Sequence, residues 1–309
     1  MWVYWLIGVV LLLVALYPLQ GWITYVVHQR QRERRYTLTV APAHRPRLQD
    51  WRADQVTICW LGHATVLINF YGRWILTDPV FGRSVGIHLP CGISFGPRRL
   101  IDCPLRPAEL PALDLVVQSH AHMDHLDTQS WRQLPRSVPV VMATNNGQYL
   151  RRRGLRAVTE LRWGESTEVA GVRVTAVAVR HWGARFPWSR DDGYNAYLLE
   201  RNGRTILFGG DTAFTDLLTQ ATAGKVVDVA ILPIGGYQPY LHAHASPEQS
   251  WAMSQAMGAR FLSPIHHQTF ILSYEPPTEP LERLVVAAGP AASQIVLREI
   301  GETFILPEL

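Results

Sequence analysis

From Gln55 onward the chain alternates apolar runs of strand length with polar or glycine-bearing turns. The runs TICWLGHATVLINF, RWILTDP, LDLVVQSH, VPVVMAT, VRVTAVAVRH, YNAYLLE, RTILFGGD, VVDVAILPI and ARFLSPIH all read as strands. Several are apolar at consecutive positions, as strands covered on both faces are. Helical patterns fall between them, in NNGQYLRRRG and in the stretch after Ser246. Ser246-Pro247-Glu248-Gln249 sets a capping serine before a first-turn proline, with a glutamine three residues on, which is a helix-start signature. Strand–loop–helix alternation with this many strands predicts one α/β domain with layered sheets.

The N-terminus follows a different pattern. Met1 to Val27 carry no charged side chain, and the run exceeds the roughly 20 residues that cross a bilayer as a helix. Trp2, Tyr4 and Trp5 at one end, and Trp22 and Tyr25 at the other, are spaced like interfacial aromatic belts. A cleaved signal peptide wants a basic start, a shorter apolar core and a small-residue cleavage site. The first and last are missing, so residues 1–28 read as an uncleaved transmembrane anchor. Arg30, Arg32, Arg34 and Arg35 follow in a basic juxtamembrane linker, residues 29–54, which also holds Pro42 and Pro46. By the positive-inside rule this cluster places the folded domain, residues 55–309, on the cytoplasmic face of a single-pass membrane protein. The arginines either set topology alone or also touch anionic headgroups.

Composition changes this picture little. The chain is 48% hydrophobic and 17% charged, and the apolar excess sits at the N-terminus. A net charge of +4 over 309 residues is too small for a nucleic-acid footprint, so no nucleic-acid partner is expected. Cys59, Cys91 and Cys103 include no CxxC, and an odd number of widely spaced thiols defines neither a disulfide framework nor a cysteine metal site.

The chemistry lies where the strands end. Apolar runs lead directly into His120, His181, Asp211 and His266, and loops at strand ends are where layered α/β proteins place ligands. The densest cluster is His120-Ala-His122-Met-Asp124-His125-Leu-Asp127. Side chains two apart in an extended segment point the same way, so His120 and His122 can grip one metal together. A tight turn then brings Asp124 and His125 to a second. Imidazole and carboxylate ligands without thiolate suit zinc, and also admit iron or manganese.

HAHMDH matches the HxHxDH motif, and the chain resembles the metallo-β-lactamase superfamily from about Thr57 to Leu284. The pieces WLGHATVLINFYGRWILTDPVFG, FGPRRL, RHWGARF, GGDTAF, LPIGGYQP, HASPEQ and PIHHQTF resemble one branch of it. That branch contains the N-acylphosphatidylethanolamine-hydrolysing phospholipases D and their bacterial relatives, and more distantly the ascorbate-phosphate lactonases. The resemblance implies a four-layer αββα sandwich, here preceded by one N-terminal transmembrane helix. It implies two zinc ions, one held by His120, His122 and His181, the other by Asp124, His125 and His266, with Asp211 bridging. His267 competes with His266, and the match to the family's IHxGTF pattern favours His266. Gln268 stands where that family usually has glycine. Asp78 and His63 would orient ligand histidines. His244 matches a histidine that points into the active site and would contact substrate or protonate a leaving group; His242 reads as a surface residue.

On this resemblance the chain is a binuclear metal-dependent hydrolase. Its expected activity is phospholipase D-like cleavage of (N-acyl)phospholipids at the bilayer, by a hydroxide bridging the metals, with Asp124, Asp211 and His244 as catalytic residues. The alternative is a lactonase or other ester or phosphodiester hydrolase acting on a soluble small molecule. A lipid substrate would call for an apolar groove lined by residues such as Ile87, Leu89, Ile93, Phe95, Phe186, Trp188, Tyr237 and Tyr240. The oligomeric state is not legible in the sequence.

Overall fold

The apolar runs pair into two sheets in a computed structural model, which describes every residue except 3, 6–26, 28, 37–38, 90–93, 187 and 309. The first sheet has the order β15 (Thr303–Ile305), β1 (Val56–Gly62), β2 (Thr65–Phe70), β3 (Arg73–Thr77), β6 (Leu115–Gln118), β7 (Val140–Ala143) and β8 (Val158–Leu161). The second runs β14 (Phe261–Ile265), β13 (Val229–Pro233), β12 (Arg204–Phe208), β11 (Ala196–Arg201), β10 (Val172–Val177) and β9 (Ser166–Val169). A short hairpin pairs β4 (Ile87–His88) with β5 (Ser94–Phe95).

Strand alternation decides the layering. In β1, Ile58 and Trp60 join the core that also takes Val174, Leu199, Ile206 and Val229 from the second sheet. Their neighbours Cys59 and Leu61 face the opposite way, into a cluster with Trp131, Leu134 and Leu150. In the second sheet, Leu198, Leu207 and Leu232 pack outward with Met253 and Leu284. Helices Thr128–Trp131 and Gly147–Arg151 supply residues to the first outer cluster, and helices Leu217–Ala221, Pro247–Ala256 and Glu279–Ala288 to the second. Two sheets face each other with helices outside both, the metallo-β-lactamase-type α/β arrangement. Each fully buried aliphatic or aromatic side chain contributes about 1.5–3 kcal/mol, so the fully buried β1 and β2 are what tie the sheets together.

The sequence signals at Ser246 fold as read. Its side chain accepts from Gln249 N, and the Gln249 side chain accepts from Ser246 N. The helix Glu279–Ala288 was not among the sequence candidates, although Leu281, Leu284, Val285 and Ala288 carry a helical period and pack on the second sheet. The prolines that surround its start mask it.

The expected transmembrane anchor falls mostly on residues 6–26, outside the described residues. Among the described residues no helix is long and apolar enough to cross a membrane. The stretch after it differs from a free linker. Residues 29–33 are helical, and Gln29 and Glu33 are buried. Gln29 donates to Ile271 O at 2.7 Å, and Glu33 accepts from Arg98 N and Arg98 Nε at 2.8 Å each. Arg30 pairs with the same carboxylate, and Arg32 stacks over Tyr274. Two of the four arginines therefore bind the domain, while Arg34 and Arg35 are exposed. Cys59 and Cys103 are free thiols, and Cys91 lies outside the described residues.

Candidate metal centre

The site side chains leave from the ends of strands in both sheets. His63 follows β1, Asp78 follows β3, His120 follows β6, and His266 follows β14. His63, Asp78 and His266 have positive φ (53°, 31° and 65°), so each sits at a sharp turn that redirects its side chain. Asp211 follows β12 through Gly209 and Gly210. A Cβ on Gly210 would lie 2.6 Å from the Ser119 Cβ, so glycine lets the end of β12 approach the end of β6. Gln268 takes φ 55°, which explains why glycine suits that position, although the turn is made here with glutamine.

These turns converge. Nε2 of His120 lies 2.9 Å from Nδ1 of His122, which lies 3.3 Å from Nε2 of His181. Two nitrogens on one tetrahedral zinc would sit about 3.4 Å apart. Oδ2 of Asp211 is 3.1 Å from His125 Nε2, 3.2 Å from His266 Nε2, 3.7 Å from His181 Nε2 and 3.8 Å from His120 Nε2. Its single oxygen thus reaches the Nε2 atoms of histidines from both sets. Asp124 Oδ2 is 3.0 Å from His63 Nε2, 3.5 Å from His266 Nε2 and 3.8 Å from His125 Nε2. Two donor groups result: His120, His122, His181 and Asp211; and His63, Asp124, His125 and His266. The resemblance implies an orienting role for His63, whereas the structure brings its ring nitrogen directly among the second group. A third group joins Asp78 to His120 and His125, and a fourth joins His244 to Asp211 and His266, with His244 Nδ1 3.9 Å from Asp211.

Outer contacts fix the rings. Asp78 accepts from His125 Nδ1 at 2.6 Å, from Ser119 N at 2.7 Å and from Ser119 Oγ, which also contacts His120 Nδ1 at 2.9 Å. His181 Nδ1 donates to Ala243 O and His266 Nδ1 to Gly235 O. In both rings Nε2 is the nitrogen left for a metal. His242 stands outside the groups. His267 is buried and stacked on Trp60 at 4.6 Å, and neither of its ring nitrogens has a partner or joins a donor group.

The electrostatics match a cation site. Burial pushes the imidazoles of His120 and His181 well below their ordinary range, those of His122 and His244 to about 4, and that of His63 to about 3. At His125 and His266 burial is outweighed by Asp211 and Asp124, which hold His125 well above its ordinary value and His266 at about 9. Burial alone would raise Asp124 and Asp211, but the facing histidines, His125 foremost, hold both well below the usual carboxylate range. Ionised carboxylates ringed by imidazoles favour any cation placed among them. Buried atoms left without hydrogen bonds include His122 Nε2, His125 Nε2, His266 Nε2, His244 Nδ1 and Asp211 Oδ1. Buried polar atoms are rarely left unpaired, and these five orphans lie together among the donor groups. The residues fit a metal.

Several contributors were not legible as site residues. Trp182 places its ring 4.8 Å from that of His122 and 4.5 Å from that of His181, and stays 43% exposed at the rim. Arg185 Nη1 donates to both Ala121 O and Leu126 O at 2.8 Å, bracketing the metal loop. Buried Glu275 accepts from the backbone of Gly236, Tyr237 and Gln238, shaping the turn beside His266. The only sequence signal for Trp182 and Arg185 is their place in RHWGARF.

Residues 73–267 match the beta-lactamase superfamily domain. The chain belongs to the metallo-β-lactamase superfamily, and it is a metal-dependent hydrolase. It is 30% identical over 260 residues to the mitochondrial N-acyl-phosphatidylethanolamine-hydrolyzing phospholipase D of Saccharomyces cerevisiae, covering 79% of this chain and 54% of that protein. It thus spans about half the length of that relative. It is 28% identical to N-acyl-phosphatidylethanolamine-hydrolyzing phospholipase D 1 of Caenorhabditis elegans, over 80% of this chain and 74% of that one. Among solved structures, the isothiocyanate hydrolase from Delia radicum gut bacteria superposes with a TM-score of 0.67 over 82% of this chain and 100% of that chain. At 15% identity that likeness shows the fold alone.

Proposed function

We propose that this hydrolase is a phosphodiesterase of the phospholipase D type, acting on (N-acyl)phospholipids at a membrane surface. The observation that carries the chemistry is the Asp211 carboxylate, within 3.8 Å of ring nitrogens from four histidines of both donor groups. Similarity over four-fifths of the chain to two phospholipases D supports the substrate class. His120, His122 and His181 would hold one zinc ion and Asp124, His125 and His266 the other, with Asp211 between them; iron or manganese fits the same donors. His63 stands beside Asp124 as a further donor or as its orienting partner.

Divalent ions held there supply Lewis acidity, acidifying water and offsetting charge on a phosphodiester. The chain's own residues do the rest. Asp124 and Asp211, kept ionised, orient the attacking water. Its oxygen adds to phosphorus, the bond to the headgroup oxygen breaks, and the water's proton ends on the departing alcohol. His244, neutral at pH 7 because burial holds it to about 4, donates an N–H to a substrate oxygen rather than arriving as an imidazolium. Trp182 walls the rim.

The expected apolar lining is only partly assembled. Ile87 and Phe186 share a cavity beside the metal loop, Trp188 stacks on Phe186 at 5.1 Å, and Tyr240 is exposed. Tyr237 is buried with its hydroxyl on Glu279, so it belongs to the core, and Ile93 lies outside the described residues. The apolar residues 1–28 would anchor the enzyme with its domain on the cytoplasmic face, raising the effective concentration of lipid. Turnover by the metal-loaded protein on a panel of N-acylated phospholipids, ordinary phospholipids, soluble phosphodiesters and lactones tests the reading. Preference for phospholipids supports it; preference for lactones replaces it with the soluble-metabolite reading.

A further inference from the structure

Met123, set between metal-loop residues His122 and Asp124, also forms part of the wall of a second cavity of about 560 Å³. Four arginines line it: Arg132, Arg152, Arg153 and Arg185. Ile87 and Phe186 complete an apolar wall with Met123. Separate elements supply the cations. Arg132 ends the helix Thr128–Trp131, and Arg152 and Arg153 end the helix Gly147–Arg151. Arg185 comes from the loop after His181.

Among the described residues, none of the four makes an ion pair, whereas their neighbour Arg151 pairs with Glu160. The nearby carboxylates hold other groups more closely than they hold these guanidiniums, although Asp192 also accepts from Arg185 N at 3.4 Å and Asp127 lies 3.6 Å from His88 Nε2. Asp127 accepts from Gln129 N, Ser130 N and Ser130 Oγ, and Asp192 accepts from the Tyr149 hydroxyl. Arg132 has one neutral partner, Gln129 Oε1 at 3.0 Å. Arg132 and Arg152 are exposed and Arg153 and Arg185 half-buried, and four guanidiniums around one space, offset in part by Asp127, favour an anion among them. Burial first, and Arg132 second, hold the Arg153 guanidinium below its ordinary value. Arg185 is used differently. It packs near the Tyr149 and Phe186 rings and grips the carbonyls of Ala121 and Leu126, so one residue both lines the cavity and ties down the metal loop.

We propose that this cavity is an anion subsite for a phosphate-type group, recognised by Arg132, Arg152 and Arg153 and joined to the metal loop through Arg185. Guanidinium forks match phosphate oxygens in pairs, which a lysine cannot do, and the apolar wall suits whatever carbon chain adjoins the phosphate. The group comes either from a soluble phosphate ester or from the headgroup of an anionic lipid. The subsite goes beyond the hydrolytic reading and does not depend on which bond is cut.

The test compares the metal-loaded full chain with R152Q/R153Q, with R132Q, and with D211N, which lesions the metal centre instead. Inorganic phosphate is titrated by calorimetry, and sedimentation is measured with phosphatidylcholine vesicles containing or lacking phosphatidic acid. The expected result is a phosphate site retained in D211N and weakened about tenfold or more in R152Q/R153Q, with R132Q changing in the same direction and thermal midpoints unchanged. A loss seen only with vesicles containing phosphatidic acid supports the subsite with a lipid headgroup as its source. Phosphate and vesicle binding equal to wild type in both arginine variants overturns it. Phospholipid turnover, read separately, reports on the hydrolytic reading and leaves the binding result standing.

Discussion

Asp78 accepts a 2.6 Å hydrogen bond from Nδ1 of His125 while the same carboxylate holds Ser119, whose hydroxyl contacts His120. One buried acid at the end of β3 thus orients a histidine from each donor group. Burial raises its pKa against the pull of His125, so the carboxylate depends on its partners to stay charged. Asp78→Asn keeps the shape but weakens both contacts. Metal affinity should fall about 10–100-fold, measured by competition with a chelator, while the folded domain persists. Unchanged affinity would remove Asp78 from the site.

His244 gives a separable prediction. It lies 3.9 Å from Asp211 but is absent from the two principal donor groups. His244→Gln should lower the rate about 10²–10⁴-fold with bound metal unchanged by elemental analysis. Because its pKa is held near 4, the wild-type rate should show no loss attributable to deprotonation of His244 between pH 6 and pH 8, roughly the span over which an unshifted histidine would titrate. A descending limb there that vanishes in the variant would mean that His244 works as an imidazolium.

Glu33 predicts acid release of the docked segment. Burial would raise its pKa, but Arg98 and Arg30 together hold it below the ordinary 4.5. A depressed folded pKa means that the contact's stabilisation is fully present above 4.5 and is lost as the pH falls through the lower folded value. Amide protection factors for residues 29–33 should therefore be constant above about pH 5 and drop in acid. In Glu33→Gln they should be low throughout. Protection independent of both pH and substitution would show that Gln29 and Arg32 alone hold the segment.

The membrane orientation is testable without any substrate. Arg34 and Arg35 remain exposed after residues 29–33 have docked, free to retain the segment on the cytoplasmic side. A reporter fused after Leu309 should be active in the cytoplasm and silent outside. The reverse pattern, or recovery of a shortened N-terminus, would contradict the anchor reading.

Much of this centre is legible in the sequence because its residues sit where strand patterns break. His120, His181, Asp211 and His266 each follow an apolar run, and HAHMDH packs four donors into six positions. What stays hidden depends on distances between separate elements. His63 and Asp124 are 61 residues apart in sequence and 3.0 Å apart in space, and no local pattern records that. The Arg185 clamp on Ala121 and Leu126 is hidden in the same way, since an arginine in a loop ordinarily faces water. Glu33 falls within the linker pattern because charge patterning marks a basic run and cannot show that one acid in it meets Arg98. Tyr237 looked like a groove residue because loops are usually exposed, yet Glu275 folds its loop inward.

On the proposed function, this metal centre directs water onto the phosphorus of a phospholipid. The most direct test is hydrolysis of N-acylated phospholipid vesicles in ¹⁸O-labelled water by the metal-loaded enzyme, with chelated enzyme and Asp211→Asn as controls. The prediction is phosphatidic acid carrying the label in its phosphate, released by the loaded wild type and by neither control. Label in the carboxylate of a released fatty acid, or no phosphomonoester from a preparation that opens a lactone efficiently, would contradict it.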